Sequence, residues 1–223
     1  MKVAIVDDHQ LFRKSLAHLL NSFDEIEVVL QANNGREFLS SIEDYDIDLV
    51  LLDIQMPEMD GFQTCRILKD KYPNIYVLII SQLTTKESIH KVMELGAHGF
   101  FTKNSDPVQL HNAIISIKEN GYYFGNELGS VIREVMLWEK KRNDEQVEDA
   151  FEIDENCLTA REIEIIKLVS NGKSSKEISE ILNINVRTVE THRKHIMEKT
   201  NSKNFIGVVV FALKYQLIAL EEI

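Results

Sequence analysis

Five side chains in the first half of the chain are the natural starting point for chemistry: Asp7, Asp8, Asp53, Ser81 and Lys103. Each stands at the carboxyl end of a short apolar, β-branched run. Val3-Ala4-Ile5-Val6 leads into Asp7-Asp8, Leu49-Val50-Leu51-Leu52 into Asp53, Tyr76-Val77-Leu78-Ile79-Ile80 into Ser81, and Gly99-Phe100-Phe101-Thr102 into Lys103. If the runs are neighbouring parallel strands, three carboxylates, a hydroxyl and an ammonium meet at one edge. Such a cluster repels itself unless it takes up a cation. Carboxylate oxygens with no His or thiolate among the strand-end residues favour Mg²⁺, which keeps several waters and uses few protein ligands. With Lys103, the ion would accept a phosphoryl group beside Asp53. Taken singly, each of these residues could merely cap a strand or start a helix, as Asp8 could for the helix that follows it. Five of them at the right strand ends argue for a site.

The elements that must position the cluster follow from hydrophobic period. Strands are predicted at residues 3–6, 27–32, 48–53, 76–80 and 99–102. Amphipathic helices are predicted at 9–23, 35–42, 62–72, 86–95 and 108–119. In the first helix Leu11, Phe12, Ser15, Leu16, Leu19 and Leu20 form the inward side. Near-continuous apolar strands separated by helices give a doubly wound α/β domain with a parallel sheet covered on both faces. Ligands bind such sheets beyond the strands' carboxyl ends.

The segments Val6-Asp7-Asp8-His9, Asp53-Ile54-Gln55-Met56-Pro57-Glu58-Met59-Asp60-Gly61, Ser81 and Gly96-Ala97-His98-Gly99-Phe100-Phe101-Thr102-Lys103 resemble the receiver domain of two-component response regulators. The resemblance covers about residues 1–121. It implies strand order 2-1-3-4-5, Asp53 as phosphoacceptor and a sensor histidine kinase as partner. It gives Mg²⁺ to Asp8, Asp53 and the Gln55 backbone carbonyl, with Asp7 assisting. It assigns Lys103 to the phosphoryl oxygens, Ser81 to the bound phosphoryl group and Phe100 to the aromatic that repositions with it. Two departures stand out. Phe100 replaces a frequent tyrosine, so a switch there works by packing alone. Asn104 replaces a frequent proline after the lysine, which leaves the isomer of the Lys103–Asn104 bond open.

Charge divides the chain further. Residues 1–124 hold 11 basic and 18 acidic side chains, residues 125–156 hold 4 and 10, and residues 157–223 hold 10 and 8. An acidic protein of net charge −11 thus carries one basic stretch, with Arg187, Arg193, Lys194, Lys199 and Lys203 against Glu190 and Glu198. Three segments are expected: a receiver at 1–124, a helical extension and acidic linker at 125–156, and a DNA-binding domain at 157–223. In the extension, Leu128, Val131, Ile132, Val135, Met136 and Trp138 have helical spacing, and Trp138 could anchor either domain or a dimer.

In the last segment Thr159 and Glu162 form a capping box. Gly172 ends that helix, and Ser174 or Ser175 caps a second, with Ile178, Ile181 and Leu182 inward. Asn183-Ile184-Asn185 is a tight turn, and Asn185 caps a third, basic helix. A strongly apolar helix spans residues 205–217. Two short helices around a tight turn have helix-turn-helix geometry, although a charged helix face is often only solvated. Leu158-Thr159-Ala160-Arg161-Glu162, Gly172-Lys173-Ser174-Ser175-Lys176-Glu177-Ile178-Ser179 and Arg187-Thr188-Val189-Glu190-Thr191-His192 resemble the LuxR-type (NarL/FixJ) DNA-binding domain over about residues 157–218. By that resemblance the third helix enters the major groove of promoter DNA. Glu190, Thr191 and Lys194 match base-reading positions, and Thr188, Arg193 and Lys199 suit phosphates. Arg187 belongs to the same DNA-binding set. Thr200-Asn201, where leucine and glycine are frequent, could alter the end of this helix. His192, His195 and Glu198 lie at i, i+3 and i+6 but lack a fourth ligand, so they read as packing and surface residues.

Together these readings describe a transcriptional regulator that is not an enzyme, beyond slow autodephosphorylation, and that forms a homodimer on phosphorylation. A haloacid-dehalogenase-like phosphatase would want an aspartate where Gln55 stands. A receiver acting only as an interaction module would not need the basic helix. No run of about 20 apolar residues offers a membrane span, and Cys65 and Cys157 fit a reduced, cytoplasmic protein.

Overall fold

The computed structural model describes residues 1–82, 85–123 and 158–219. The chain divides into two compact units, residues 1–125 and 126–223. The extension expected at 125–156, with Trp138, and Cys157 lie outside the described residues.

In the first unit β1 (Lys2–Val6), β2 (Glu27–Ala32), β3 (Leu49–Leu52), β4 (Tyr76–Ser81) and β5 (Gly99–Thr102) form one parallel sheet in the order β2-β1-β3-β4-β5. The crossovers are α1 (Gln10–Leu20), α2 (Gly35–Ser41), α3 (Gly61–Lys71) and α4 (Lys86–Leu95), and α5 (Pro107–Asn120) follows β5. Strand side chains alternate faces. Ala4, Val6, Val50, Leu52, Val77 and Ile79 pack with Phe38, Cys65 and Leu68 of α2 and α3. Val3, Ile5, Leu49, Leu51, Leu78 and Ile80 pack with Leu16, Leu20, Ile114 and Ile117 of α1 and α5. Both faces are therefore dry, and the polar residues at the strand ends have only the carboxyl edge left to occupy.

The first helix is shorter than the predicted 9–23, and its inward side is rotated. Leu11 is 82% exposed and Ser15 is exposed, while Arg13 and Ala17 are buried. Its cap residue is His9, whose N–H donates to Asp7 Oδ1 (2.8 Å), so Asp8 is not the cap. No cis peptide bond occurs among the described residues, so the Lys103–Asn104 bond is trans.

The second unit contains α6 (Ala160–Ser170), α7 (Ser175–Ile181), α8 (Val186–Lys199) and α9 (Phe205–Lys214). Capping boxes Thr159/Glu162 and Ser174/Glu177 start α6 and α7, and the Asn185 side chain accepts from Arg187 N–H at the start of α8. Asn183 takes φ +50° in the turn between α7 and α8. Ile166, Ile178, Val189, Ile196, Phe205 and Val209 are fully or almost fully buried. Ile181, expected inward, is 54% exposed. Asn201 adopts φ +49°, the left-handed geometry glycine would supply, so α8 ends cleanly after Lys199. No helix among the described residues is long and apolar enough to cross a membrane.

Candidate functional site

The parallel register sets Val6 beside Leu52 and Leu52 beside Ile79, and β4 pairs β5 through Ser81 and Thr102. The next residues of three of these strands meet directly. Lys103 Nζ lies 2.6 Å from Asp53 Oδ2 and 2.7 Å from Asp7 Oδ2. Asp53 and Asp7 are 3% and 2% exposed, and the lysine side chain 6%. Asp53 Oδ1 accepts from the N–H of Ile54 (2.7 Å). Ser81 is fully buried at the end of β4, where its carbonyl accepts from Lys103 N–H (3.0 Å). Phe100 is half-buried against the core on the α2–α3 side of the sheet.

Burial pushes the Asp53 carboxyl up, and the neighbouring Asp7 adds to this; Lys103 opposes both. Burial alone would lower Lys103, but its bonds to Asp53 and Asp7 outweigh it and hold the ammonium above its usual range. One ammonium therefore serves three carboxylates. The third, Asp8, has a buried Oδ1 with no hydrogen-bond partner. His9 Nδ1 lies 2.9 Å from that oxygen and forms an ion pair with it only when the imidazole is protonated. Ligand atoms of Asp7, Asp8, His9 and Asp53 fall within 4.8 Å of one another. Hard oxygen donors, two uncompensated negative charges and an orphaned carboxylate oxygen fit a divalent cation such as Mg²⁺. A cleft of about 580 Å³, lined by Asp8, Gln55, Met56, Pro57 and Phe62 among others, gives access from solvent.

Gly61, present in the quoted motif but given no role there, is a close-approach residue. A Cβ on it would lie 2.1 Å from the Asp53 backbone oxygen, so the start of α3 can sit against the phosphoacceptor strand only as glycine. The Asp60/Gln63 capping box starts α3 at that point.

On α8, Arg187, Thr188, Glu190, Thr191 and Lys194 are exposed. Two residues expected on DNA phosphates are engaged elsewhere. Arg193 is 8% exposed, donates to Ser175 Oγ (2.7 Å) and stacks its guanidinium over Phe205 (5.0 Å). Lys199 Nζ is held 2.8 and 2.9 Å from the two carboxylate oxygens of buried Glu162. Helical period put both on the polar side; α7 and α9 bury Arg193, and Glu162 of α6 ties down Lys199 at the surface.

Residues 3–115 match the response regulator receiver domain family, and residues 156–212 match the luxR family of bacterial regulatory proteins. The chain belongs to the LuxR-type response regulators. This response regulator is 32% identical over 219 residues to the uncharacterized transcriptional regulatory protein YhcZ of Bacillus subtilis, covering 97% of each chain. It is also 32% identical to the oxygen regulatory protein NreC of Staphylococcus aureus, covering 98% of this chain and 99% of that one. A solved structure of two RcsB dimers bound to two parallel DNAs has the same fold, with a TM-score of 0.55, 21% identity and 96% and 98% coverage. Receiver followed by luxR-type domain is the architecture of a regulator of transcription. Arg187, Glu190, Thr191 and Lys194 lie on the exposed side of α8.

Proposed function

We propose that Asp53 is phosphorylated by a sensor histidine kinase in a Mg²⁺-dependent reaction, and that the product dimerises and binds promoter DNA. The observation that carries this reading is the charge imbalance of the strand-end pocket, three carboxylates gathered around one ammonium, that of Lys103. Asp8, Asp53 and the Gln55 carbonyl would hold the ion, with Asp7 assisting. When bound, the ion neutralises charge on the transferring phosphoryl oxygens. The Asp53 carboxylate oxygen forms the new bond to phosphorus as the phosphorus–nitrogen bond of the kinase phosphohistidine breaks. The electron pair and a proton end on the departing imidazole. Lys103 opposes the upward push of burial on Asp53 and supplies the second positive charge for the phosphoryl oxygens. Ser81 donates its hydroxyl to the phosphoryl group, and Phe100, which has no hydroxyl, repacks with it. Slow hydrolysis of the acyl phosphate resets the protein.

The expected division stands as part of this proposal: receiver 1–124, extension and linker 125–156, DNA-binding domain 157–223. Lys194 donates to guanine O6/N7 and Glu190 accepts from cytosine N4. The Thr191 hydroxyl is committed to the Arg187 carbonyl (2.9 Å), which leaves its methyl for a thymine methyl. Arg187 and Thr188 take phosphates, with Arg193 buried behind them and Lys199 paired to Glu162 at the end of the helix. That RcsB, of the same fold, binds DNA as dimers supports a palindromic operator read by two copies.

Incubation with Mg²⁺ and a small acyl-phosphate donor should add one phosphoryl group by intact mass to the native protein and none to Asp53→Asn. Failure of both this donor and a phosphohistidine kinase would remove the reading.

A further inference from the structure

The pocket depends on a turn of two residues. Asp7 and Asp8 follow β1 directly, and between them they provide two of the three carboxylates. The Asp7 side chain is held by Lys103 and by His9 N–H. Its backbone N–H donates to the Ala32 carbonyl at the end of β2 (3.1 Å). Its backbone carbonyl accepts from Arg13 Nη1.

Arg13 belongs to α1 and is 7% exposed, on the same inward side as Leu16, Ala17 and Leu20. Its Nη2 donates to Asn33 Oδ1 (2.6 Å). Asn33 stands just after β2, and both its backbone N–H and its side-chain amide donate to one oxygen of Glu37 (2.8 and 2.7 Å). Those bonds, with the charge of Arg13, hold the Glu37 carboxyl below its usual range. The guanidinium thus spans two turns through two neutral oxygens. Taking a cation out of water is unfavourable by several kcal/mol in general, and an apolar residue would fill this helix position without that penalty. Only a planar fork with several donors grips both oxygens at once. The charges that act most on Asp53 are Lys103 and Asp7, so the role of Arg13 is geometric.

We infer that Arg13 is a positioning residue for the acidic pocket: it clamps the β1–α1 turn to the β2–α2 turn and so fixes Asp7 and Asp8 where a divalent cation is received. This rests on the reading that the pocket takes such a cation. Residues that orient ligands from behind typically change metal affinity about 10- to 100-fold when lost.

The test is direct binding of Mn²⁺, as a paramagnetic substitute for Mg²⁺, to the unphosphorylated full chain, followed by electron paramagnetic resonance and displaced with Mg²⁺. The native protein should bind one Mn²⁺ that Mg²⁺ displaces. Arg13→Met should bind with full stoichiometry and about tenfold weaker. Arg13→Lys should also weaken, because one ammonium cannot hold both oxygens, and Asn33→Ala should weaken by a smaller factor. These last two variants decide the matter if Arg13→Met does not fold. Equal affinity in the native protein and all variants would overturn the positioning role and leave the metal reading intact. A fall in stoichiometry at unchanged affinity in Arg13→Lys and Asn33→Ala would also overturn it, since that reports unfolding alone. Absence of Mn²⁺ binding by the native protein would instead overturn the metal reading beneath it.

Discussion

The two units bury charge in opposite ways. In the first, Asp7, Asp53 and Lys103 converge at one edge of the sheet, and with Asp8 they leave the cluster short of positive charge. In the second, Glu162 is paired with Lys199, and Arg193 is engaged by the Ser175 hydroxyl and the Phe205 ring. A buried cluster left unbalanced is high in energy until something binds, so it marks chemistry. A buried charge held by its packed neighbours marks architecture. On α8 the exposed side chains include Arg187, Thr188, Glu190, Thr191 and Lys194.

The largest effect that tests this contrast is removal of Lys103. Lys103→Met leaves three carboxylates together without their ammonium, and breaking a buried pair from one side destabilises by about 3–5 kcal/mol. Thermal unfolding in chelator should show that loss, and added Mg²⁺ should recover much of it. Asp8→Asn should do the opposite, raising stability in chelator and abolishing the response to Mg²⁺. If Mg²⁺ protects Lys103→Met no better than the native protein, the imbalance is not what recruits the ion.

Next come paired substitutions on α8. Arg193→Ala removes a buried charged hydrogen bond and should lower stability by about 2–3 kcal/mol. Lys194→Ala should leave unfolding unchanged and weaken operator binding by about 1–3 kcal/mol. Unfolding curves and footprinting on both variants separate the roles, and unchanged footprints for Lys194→Ala would show the reading face to be elsewhere.

His98 offers a third arrangement, a base buried in neutral form. Its Nδ1 accepts from Val77 N–H (2.9 Å), and burial, with the Lys69 ammonium 3.4 Å from Nε2, lowers it to about 3. The unfolded chain takes up a proton near pH 6.5 where the folded chain does not. The stabilisation is therefore complete above pH 6.5 and is lost as pH falls toward 3. Between pH 7 and pH 5 this group alone should remove about 2 kcal/mol. His98→Asn, which keeps an acceptor for Val77, should flatten urea midpoints across that interval. The smallest effect belongs to Lys199→Met, whose ion pair is partly exposed (lysine side chain 39%). About 1 kcal/mol or less is expected, with no change in the salt dependence of DNA binding. A reduced salt slope would return Lys199 to the phosphates.

The sheet and its site were legible because parallel strands are read from apolar runs, and a run's last residue lands at the carboxyl edge. β2 and β5 span the predicted residues, and the other strands end within a residue of them. The caps of α6, α7 and α8 were legible because capping is local chemistry between residues two or three apart. The helix faces were less so. Leu11 and Ile181 are apolar and exposed, while Arg13, Arg193 and Glu162 are charged and buried. Helical period gives a side chain an angle around its own axis and nothing about what stands opposite.

By itself the sequence determined which groups the pocket contains, which end of the sheet holds them, and that a capped, basic helix follows a tight turn. These depend on chain direction and on contacts a few residues long. Only the tertiary structure decided the partner of each charge. Lys103 goes to Asp53 and Asp7, Lys199 goes to Glu162, and Arg13 bridges two turns. Those pairings reach across the chain, the longest joining Asp7 to Lys103, 96 positions apart, and their energies depend on burial and distance, which exist only once the elements have packed.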